Sequence, residues 1–221
     1  MPYNSDHKQK TRARIIESAR ILFNRHGFEN VSIDMVMEAA DLTRGGFYNH
    51  FKSKEEVFAA AISSFLMGRG AQWRAAAGID PNNPAPEMAS QMIAGYLSPE
   101  HLGDLDGQCP MIALPSDVAR SNPEVRASYQ ALLTAMVGLF ETSLEGQKAD
   151  AHQVALVLAA LCVGGMVLAR TLPDSALAEE VRKAAHQEAQ RLSKAAAMLT
   201  PQVQHEIDPS SRETVAPRDY G

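Results

Sequence analysis

Apolar side chains recur with helical spacing along most of this 221-residue chain, and that periodicity constrains the fold more than any other feature of the sequence. The spacing i, i+4, i+7, i+8 and i+11 is seen first at Ile15, Ala19, Leu22, Phe23 and His26. Sustained two-residue alternation is missing, and so are Asn-Gly or Asp-Gly turns between β-branched runs. The sequence therefore predicts an all-α protein.

Three short helices are predicted within the first 55 residues. The first covers about residues 8–26 and ends at Gly27, a residue type that commonly terminates helices. Ser32 is a typical N-cap for the second helix, and residues 41–43 separate that helix from a third over about 44–50. Two short helices joined by a three-residue turn have helix-turn-helix geometry, in which the second of the pair enters the DNA major groove.

Longer helices are predicted after this unit. Residues 53–56, Ser-Lys-Glu-Glu, form a capping box that opens a longer helix, and a loop rich in proline, glycine and asparagine follows over 78–86. A cap residue before a proline marks the start of a helix over about 123–145. Two further long helices are expected over 149–171 and 175–199.

Charge is distributed unevenly along the chain, although the net charge is only −5. Residues 1–28 carry six basic side chains against two acidic ones, whereas residues 61–221 carry twelve basic against eighteen acidic. A basic end on an acidic body indicates a local surface for a polyanion such as DNA.

The N-terminal region contains a series of motifs in a fixed order: TRARIIESA at 11–19, Phe23, Gly27-Phe28, VSI at 31–33, the alanine pair at 39–40 and TRGGFYNHFKSK at 43–54. Over residues 8 to about 60 these motifs resemble those of the TetR/AcrR family of transcriptional regulators. Beyond residue 60 only the all-helical pattern is similar. The resemblance implies a helix-turn-helix DNA-binding domain over residues 1–55 and a larger helical domain over 56–200 for ligand binding and dimerisation.

The family resemblance also implies a function. We expect a cytoplasmic, homodimeric repressor that binds a palindromic operator in double-stranded DNA and is released by a small apolar or aromatic effector. The polar segment 201–221 holds three prolines and shows no periodicity, so a disordered tail is expected there.

The chemistry of the third predicted helix agrees with DNA recognition. Arg44 can form paired hydrogen bonds to a guanine edge or a phosphate, and Asn49 can read an adenine edge. Gly45 and Gly46 each cost up to about 1 kcal/mol inside a helix. Their presence therefore indicates a place where the backbone approaches the duplex.

Other residues of this region are assigned through the family pattern. In that pattern Tyr48 and His50 bond phosphates, while Phe47 and Phe51 are expected to be core residues that hold the third helix. The residues expected to contact DNA are Ser32, Thr43, Arg44, Gly45, Gly46, Tyr48, Asn49, His50 and Lys54.

Dimerisation is expected through the last two helices. The helix over 149–171 is apolar on nearly all sides and rich in alanine and glycine, so it needs partners on several sides. Together with 175–199 it would form half of a four-helix interface between two protomers. Its uncharged run, Val154 to Ala169, has 16 residues and is shorter than the roughly 20 that span a bilayer. No membrane partner is expected.

An effector pocket is expected between the fourth helix and the helix that begins at Pro123. Methionine and aromatic side chains suit an adaptable apolar cavity. The residues expected to line it are Met67, Trp73, Met92, Tyr96, Cys109, Met111, Tyr129, Met136 and Phe140, with Met88 and Leu114 as further candidates.

The two cysteines, Cys109 and Cys162, have no metal-ligand spacing and form no disulfide framework, which fits a reducing cytoplasm. Cys162 is expected to be core. Cys109 precedes a proline in a segment that resembles one found beside the pocket in a subgroup of the family. Because a thiol near a helix N-terminus can have a lowered pKa, an electrophile or oxidant sensor of the same fold is the alternative function.

Two other classes of protein fit the sequence less well. Nucleophile elbows, HExxH motifs, phosphate loops and clustered carboxylates are missing, so we expect neither an enzyme nor a cofactor or metal site. An architectural DNA-binding protein without a ligand would be more basic, and the large C-terminal body would have no purpose in it.

Overall fold

The computed structural model describes residues 3–82, 85, 87–144 and 151–198, in which the chain forms α-helices, one 3-10 helix and no strand. The α-helices are α1 Tyr3–His26, α2 Ile33–Ala39, α3 Lys54–Met67, α4 Arg69–Ala76, α5 Met88–Tyr96, α6 Pro99–Gly103, α7 Pro110–Ala113, α8 Pro115–Arg120, α9 Pro123–Ser143, α10 Ala151–Thr171 and α11 Ser175–Met198. The all-α prediction is confirmed. The expected tail over 201–221 lies outside the described residues.

The caps of the N-terminal helices form as the sequence predicts. Gly27 ends α1 with a φ of +76°, a conformation that glycine adopts without strain. The Ser32 hydroxyl accepts the Met35 backbone N–H at 3.2 Å, and the Ser53 hydroxyl accepts the Glu56 N–H at 3.2 Å. These bonds satisfy helix donors that otherwise have no partner. The first helix begins at Tyr3, earlier than its predicted start.

The third helix of the N-terminal unit differs from the prediction in type. Residues Arg44–Asn49 form a 3-10 helix, which we call the recognition helix. Two glycines in six residues weaken α-helical propensity, and short 3-10 helices are common in such places. Phe47 and Phe51 anchor this helix in the core, where they are 0% and 2% exposed, as predicted.

The predicted long fourth helix is wrong in its continuity. It is interrupted at Gly68, which separates α3 from α4 with a φ of −98° and a ψ of −109°. A Cβ atom at position 68 would lie 2.8 Å from the Ser64 carbonyl oxygen, so the break depends on glycine. At Gly70 a Cβ would lie 2.8 Å from the Phe65 ring, and the two helices therefore pack closely at the break.

The long helices connect the two ends of the molecule. α3 packs against α1 and α9, α9 against α10, and α10 along α11. α10 has the length and apolar character of a membrane-crossing helix. Its most apolar 18-residue segment has a mean hydropathy of 2.1, and 39% of that segment is buried. Core helices share that composition, and here one face of α10 packs on α9 and α11 while Leu156, Val157 and Leu168 remain exposed.

Candidate DNA interface and effector cavity

The recognition helix presents its polar side chains to solvent. Arg44 is 64% exposed and its guanidinium pairs with the Asp34 carboxylate at 2.6 Å, while Tyr48 is 60% exposed. Thr43 makes no capping hydrogen bond with its side chain, and Asn49 is exposed. These four polar groups are therefore available to a partner that covers this face.

Neither glycine of the recognition helix is required by the protein itself. A Cβ added at Gly45 would meet nothing within 4 Å, and one at Gly46 would make an ordinary 3.5 Å contact with the Met37 side chain. Both residues also lie outside the positive-φ region that favours glycine. The bare backbone thus has no internal explanation and fits the close approach of an external molecule.

The N-terminal part of α1 adds positive charge next to the recognition helix. Lys8, Arg12 and His7 lie near enough to His50 to lower the pKa of its imidazole by repulsion, in addition to the larger effect of burial. The Arg12 guanidinium stacks over the Phe51 ring at 4.4 Å. His50 also carries a buried Nδ1 that has no hydrogen-bond partner among the described residues.

Ser32 and Lys54 have structural partners. The Ser32 hydroxyl oxygen caps α2, which leaves its O–H free to donate. The Lys54 ammonium donates to the Phe28 and Val31 carbonyl oxygens at 2.8 and 3.0 Å, and lies 4.0 Å from the centre of the Phe28 ring. One of its three N–H groups remains available for a phosphate.

Two of the N-terminal cations do not belong to this basic surface. Arg20 is 4% exposed and pairs with the Glu17 carboxylate at 2.6 Å, and Arg25 forms an ion pair with Asp106. The charge count of residues 1–28 therefore overstates the positive charge available to DNA.

An apolar cavity lies in the body of the protein, where the break between α3 and α4 faces α5 and α9. Its volume is about 60 Å³. The residues that line it are Phe65, Leu66, Gly70, Trp73, Arg74, Met92, Tyr96, His101, Cys109, Met111, Leu132, Ala135, Met136 and Leu139. For comparison, an engineered cavity of about 150 Å³ holds benzene. A ligand of even one ring must therefore displace the walls, and the methionines are the most adaptable of them.

The cavity contains six of the nine residues predicted to line it. Trp73, Met92, Tyr96, Cys109, Met111 and Met136 are in its wall. Of the other three, Met67 is 82% exposed at the end of α3. Tyr129 is turned toward the Met111 carbonyl, to which its hydroxyl donates at 3.2 Å, and Phe140 is fully buried in the core away from the cavity. Helical spacing alone did not reveal His101 and Arg74, the two polar wall residues missing from the prediction.

The lowered pKa on which the alternative thiol sensor depends is not found at Cys109. Cys109 is 1% exposed, and its burial raises the pKa of the thiol to about 11. The helix that it caps, α7, has only four residues, so its dipole is too small to offset the loss of hydration. Cys162 is fully buried, as predicted, and burial raises its pKa to about 12.

His101 is a neutral, satisfied member of the cavity wall. Its Nδ1–H donates to the Tyr96 carbonyl oxygen at 2.9 Å, and its Nε2 accepts the Cys109 backbone N–H at 3.3 Å. Burial lowers the pKa of the imidazole, and this outweighs the opposite effects of the Tyr96 carbonyl and the Asp104 carboxylate. The ring also stacks near Trp73, with ring centres 5.9 Å apart.

This arrangement predicts that the protein loses stability in mild acid. Because the pKa of His101 is lower in the folded state than its ordinary 6.5, the unfolded chain binds the extra proton first. The free energy of unfolding should therefore fall as the pH decreases below about 6.5. Urea unfolding at pH 8, 7, 6 and 5 measures this, and His101→Gln should flatten the decline. An unchanged pH profile in that variant would contradict the assignment.

A loop over residues 104–109, the coupling loop, joins the cavity wall to α1. Asn24 donates to the Gln108 carbonyl oxygen at 2.8 Å, and Arg25 holds the Asp106 carboxylate with its Nη2 at 2.8 Å. Arg20 donates to the Asp106 carbonyl oxygen. The loop ends at Cys109, which lies in the cavity wall.

Two further arginines fix the coupling loop from the body. Arg170 of α10 donates to the Gln108 side chain and, at 2.7 Å, to the Asn24 carbonyl oxygen. Arg69 pairs with Asp104 at 2.6 Å. Gln108 is fully buried, and its amide also donates to two carbonyl oxygens of α6. The C-terminal end of α1, the coupling loop and α10 therefore form one hydrogen-bonded unit.

Sequence comparison gives matches in the N-terminal part of the chain. The family described as "Bacterial regulatory proteins, tetR family" matches residues 15–61. The HTH-type transcriptional regulator YfiR of Bacillus subtilis is 41% identical over 61 residues, which are 28% of this chain and 30% of YfiR. The probable acrEF/envCD operon repressor of Escherichia coli K12 is 39% identical over 49 residues, 22% of each chain. The chain thus spans a third or less of these relatives.

Solved structures match over most of the chain. A transcriptional regulator from Cytophaga hutchinsonii has a TM-score of 0.69 at 22% identity, covering 86% of this chain and 96% of its own. A TetR transcriptional regulator from Chloroflexus aurantiacus has a TM-score of 0.67 at 24% identity, and the match covers 82% of this chain and 95% of that one. The reduced form of Escherichia coli NemR has a TM-score of 0.65 at 18% identity, and the match covers 82% of this chain and 96% of NemR. These similarities extend the shared fold to the helical body.

Proposed function

Because the chain belongs to the TetR family of bacterial regulatory proteins, we propose that it is a cytoplasmic, ligand-released transcriptional repressor. The observation that carries the proposal is the recognition helix, whose exposed Arg44, Tyr48 and Asn49 flank two glycines that the protein does not itself require. Such a surface fits a DNA major groove, where it can contact the base edges and the phosphates that border the groove.

The recognition helix reads the operator and neighbouring groups hold the phosphates. Arg44 and Asn49 have the donor and acceptor geometry for guanine and adenine edges. Thr43, Tyr48 and His50, together with the free donors of Ser32 and Lys54, contact the backbone and fix the register. Gly45 and Gly46 let the helix approach the bases closely.

The repressor acts as a homodimer on a palindromic operator. A single short helix reads too few base pairs, and a twofold dimer doubles the contact. The exposed apolar residues Leu156, Val157 and Leu168 of α10 and Leu177 of α11 lie on the two helices predicted to dimerise. Packing against a second copy would remove these apolar side chains from water, which favours dimerisation.

Release follows from the size of the cavity. A small organic effector cannot enter 60 Å³ without moving the walls, so it binds a more open conformation more tightly. The wall includes Cys109, the last residue of the coupling loop, and the loop holds the end of α1. Opening the cavity therefore shifts α1 and the recognition helix. The two recognition helices of the dimer then no longer fit successive major grooves of the DNA.

The coupling loop provides the first test of this mechanism. Arg170→Met removes the bonds from α10 to Gln108 and Asn24 and loosens the DNA-binding domain on the body. Operator affinity should fall at least about fivefold, the lower range of measured allosteric couplings. Fluorescence anisotropy with labelled operator measures it, and Arg126→Met, an exposed arginine on α9, is the control. Equal affinity of Arg170→Met and the wild type would exclude the coupling role.

The alternative thiol sensor is not favoured. A sensor thiol is exposed and has a lowered pKa, whereas Cys109 is buried with its pKa raised to about 11.

Selection of bound fragments from a random DNA library tests the proposed function. The expected result is an inverted repeat whose half-sites lie about one helical turn apart. Enrichment of unrelated sequences, or of a single half-site only, would reject the dimeric repressor.

A further inference from the structure

Two polar groups of the effector cavity lack a partner suited to them within the described residues. The first is the Tyr96 hydroxyl: the residue is 6% exposed, and the oxygen has no hydrogen bond of normal geometry. Its neighbour is the Cys109 thiol, a weak hydrogen-bonding group. A buried hydroxyl left unsatisfied is unfavourable, and a ligand oxygen at this position would supply the missing partner.

The second group is the Arg74 guanidinium. Arg74 lines the cavity, its side chain is partly buried, and its guanidinium donates one N–H to the Leu66 carbonyl oxygen at 2.7 Å. No carboxylate of the described residues lies within ion-pair distance of it, whereas the fully buried Arg20 and Arg182 each hold a glutamate. Burial lowers its pKa with no carboxylate to oppose the effect.

Apart from the Trp73 indole N–H, His101 and the weak Cys109 thiol, the rest of the wall is apolar. Phe65, Leu66, Met92, Met136 and Leu139 offer no hydrogen bond through their side chains, and both ring nitrogens of His101 are already bonded. An effector that satisfies the cavity therefore needs an apolar body, one anionic group and one further oxygen.

We propose that the effector is a small organic acid whose carboxylate pairs with Arg74 and whose apolar, oxygen-bearing body reaches the Tyr96 hydroxyl. This inference rests on the proposed function, because it names the ligand class of the same cavity. A carboxylate matches the planar guanidinium with two parallel hydrogen bonds. A neutral hydrocarbon would leave the Tyr96 hydroxyl unsatisfied and the Arg74 charge unpaired, and a cation would be repelled.

The test uses three probes on the full-length protein: 4-hydroxyphenylacetate, its primary amide, and phenylacetate. Calorimetry gives the affinities. Removing the charge in the amide should weaken binding at least about tenfold, and removing the hydroxyl about threefold to tenfold. Failure of 4-hydroxyphenylacetate to bind at millimolar concentration, or equal binding of acid and amide, would overturn the proposal.

Matched variants assign each effect to one residue. Arg74→Gln keeps a donor for the Leu66 carbonyl but removes the charge, so the preference for acid over amide should shrink to about twofold or less, and Arg74→Lys should restore part of it. Tyr96→Phe should abolish only the preference for the hydroxylated acid. A preference that persists in Arg74→Gln would reject the assignment of the carboxylate to this arginine.

Operator binding measured on the same samples separates this inference from the proposed function. If the acid binds through Arg74 but specific DNA binding is missing, the repressor proposal fails and the acid site stands. If the operator binds and the acid does not, the ligand class is wrong and the repressor proposal stands.

Discussion

Replacing Arg44 with alanine is expected to weaken operator binding between about 30-fold and 10⁴-fold. Each paired hydrogen bond to a guanine is worth about 1–3 kcal/mol, and a dimer loses two of them. The exposed ion pair with Asp34 contributes little to folding, so the melting temperature should change little. Anisotropy with wild-type operator measures the affinity.

Arg191→Ala is the matched control for this prediction. Arg191 has the same exposed fraction as Arg44, 64%, and likewise pairs with a carboxylate at 2.6 Å, but it lies on α11. Its operator affinity should equal that of the wild type, with the oligomeric state checked by size-exclusion chromatography. An Arg44→Ala protein that binds as tightly as this control would contradict the assigned reading role.

Replacing Phe47 with alanine is expected to lower the free energy of unfolding by about 3–5 kcal/mol. The ring is fully buried beneath the recognition helix and packs near Phe51, with ring centres 5.7 Å apart. Since whole domains are stable by only about 5–15 kcal/mol, this variant should lose much of its folded N-terminal domain. Urea unfolding followed by circular dichroism measures the loss.

The neighbouring Tyr48→Ala should behave in the opposite way. Tyr48 is 60% exposed, and its ring approaches the Phe47 ring edge-on, with ring centres 5.3 Å apart. Its removal should cost at most about 1 kcal/mol of stability and should weaken DNA binding. If Tyr48→Ala destabilised the protein as strongly as Phe47→Ala, the division between the DNA-facing and core sides of the recognition helix would be wrong.

Local signals in the sequence predicted the N-terminal unit well. The caps at Ser32 and Ser53, the stop at Gly27 and the buried Phe47 and Phe51 depend on residues within a few positions of one another. Such short-range patterns indicate where helices end and which faces they bury without any knowledge of tertiary contacts.

Contacts between distant segments could not be predicted in the same way. The pairing of Arg25 with Asp106 joins residues 81 apart in sequence, and that of Arg170 with Asn24 joins residues 146 apart. Arg25 was counted with the basic residues of the N-terminal region because its pairing with Asp106 cannot be inferred from the sequence. Likewise, the burial that raises the pKa of Cys109 depends on how α5 and α9 pack around it, whereas the helix that follows it is evident from Pro110 alone.

Met67 and the adjacent break at Gly68 both differ from the prediction. Met67 was expected to line the cavity, but it lies at the end of α3 on the same face as the exposed Ser63 and is itself 82% exposed. Directly after the break, Gly70 packs closely against Phe65, a contact that periodicity does not encode.

The most direct measurement is a salt titration of binding to the selected operator, with a scrambled sequence of equal length as the reference. We expect the protein to bind the operator at least about 10³-fold more tightly than the reference. We also expect the logarithm of the affinity to fall with the logarithm of salt concentration, with a slope of about 0.9 for each phosphate contacted. Equal affinity for both DNAs at every salt concentration would contradict the assignment of the recognition helix to sequence-specific DNA binding.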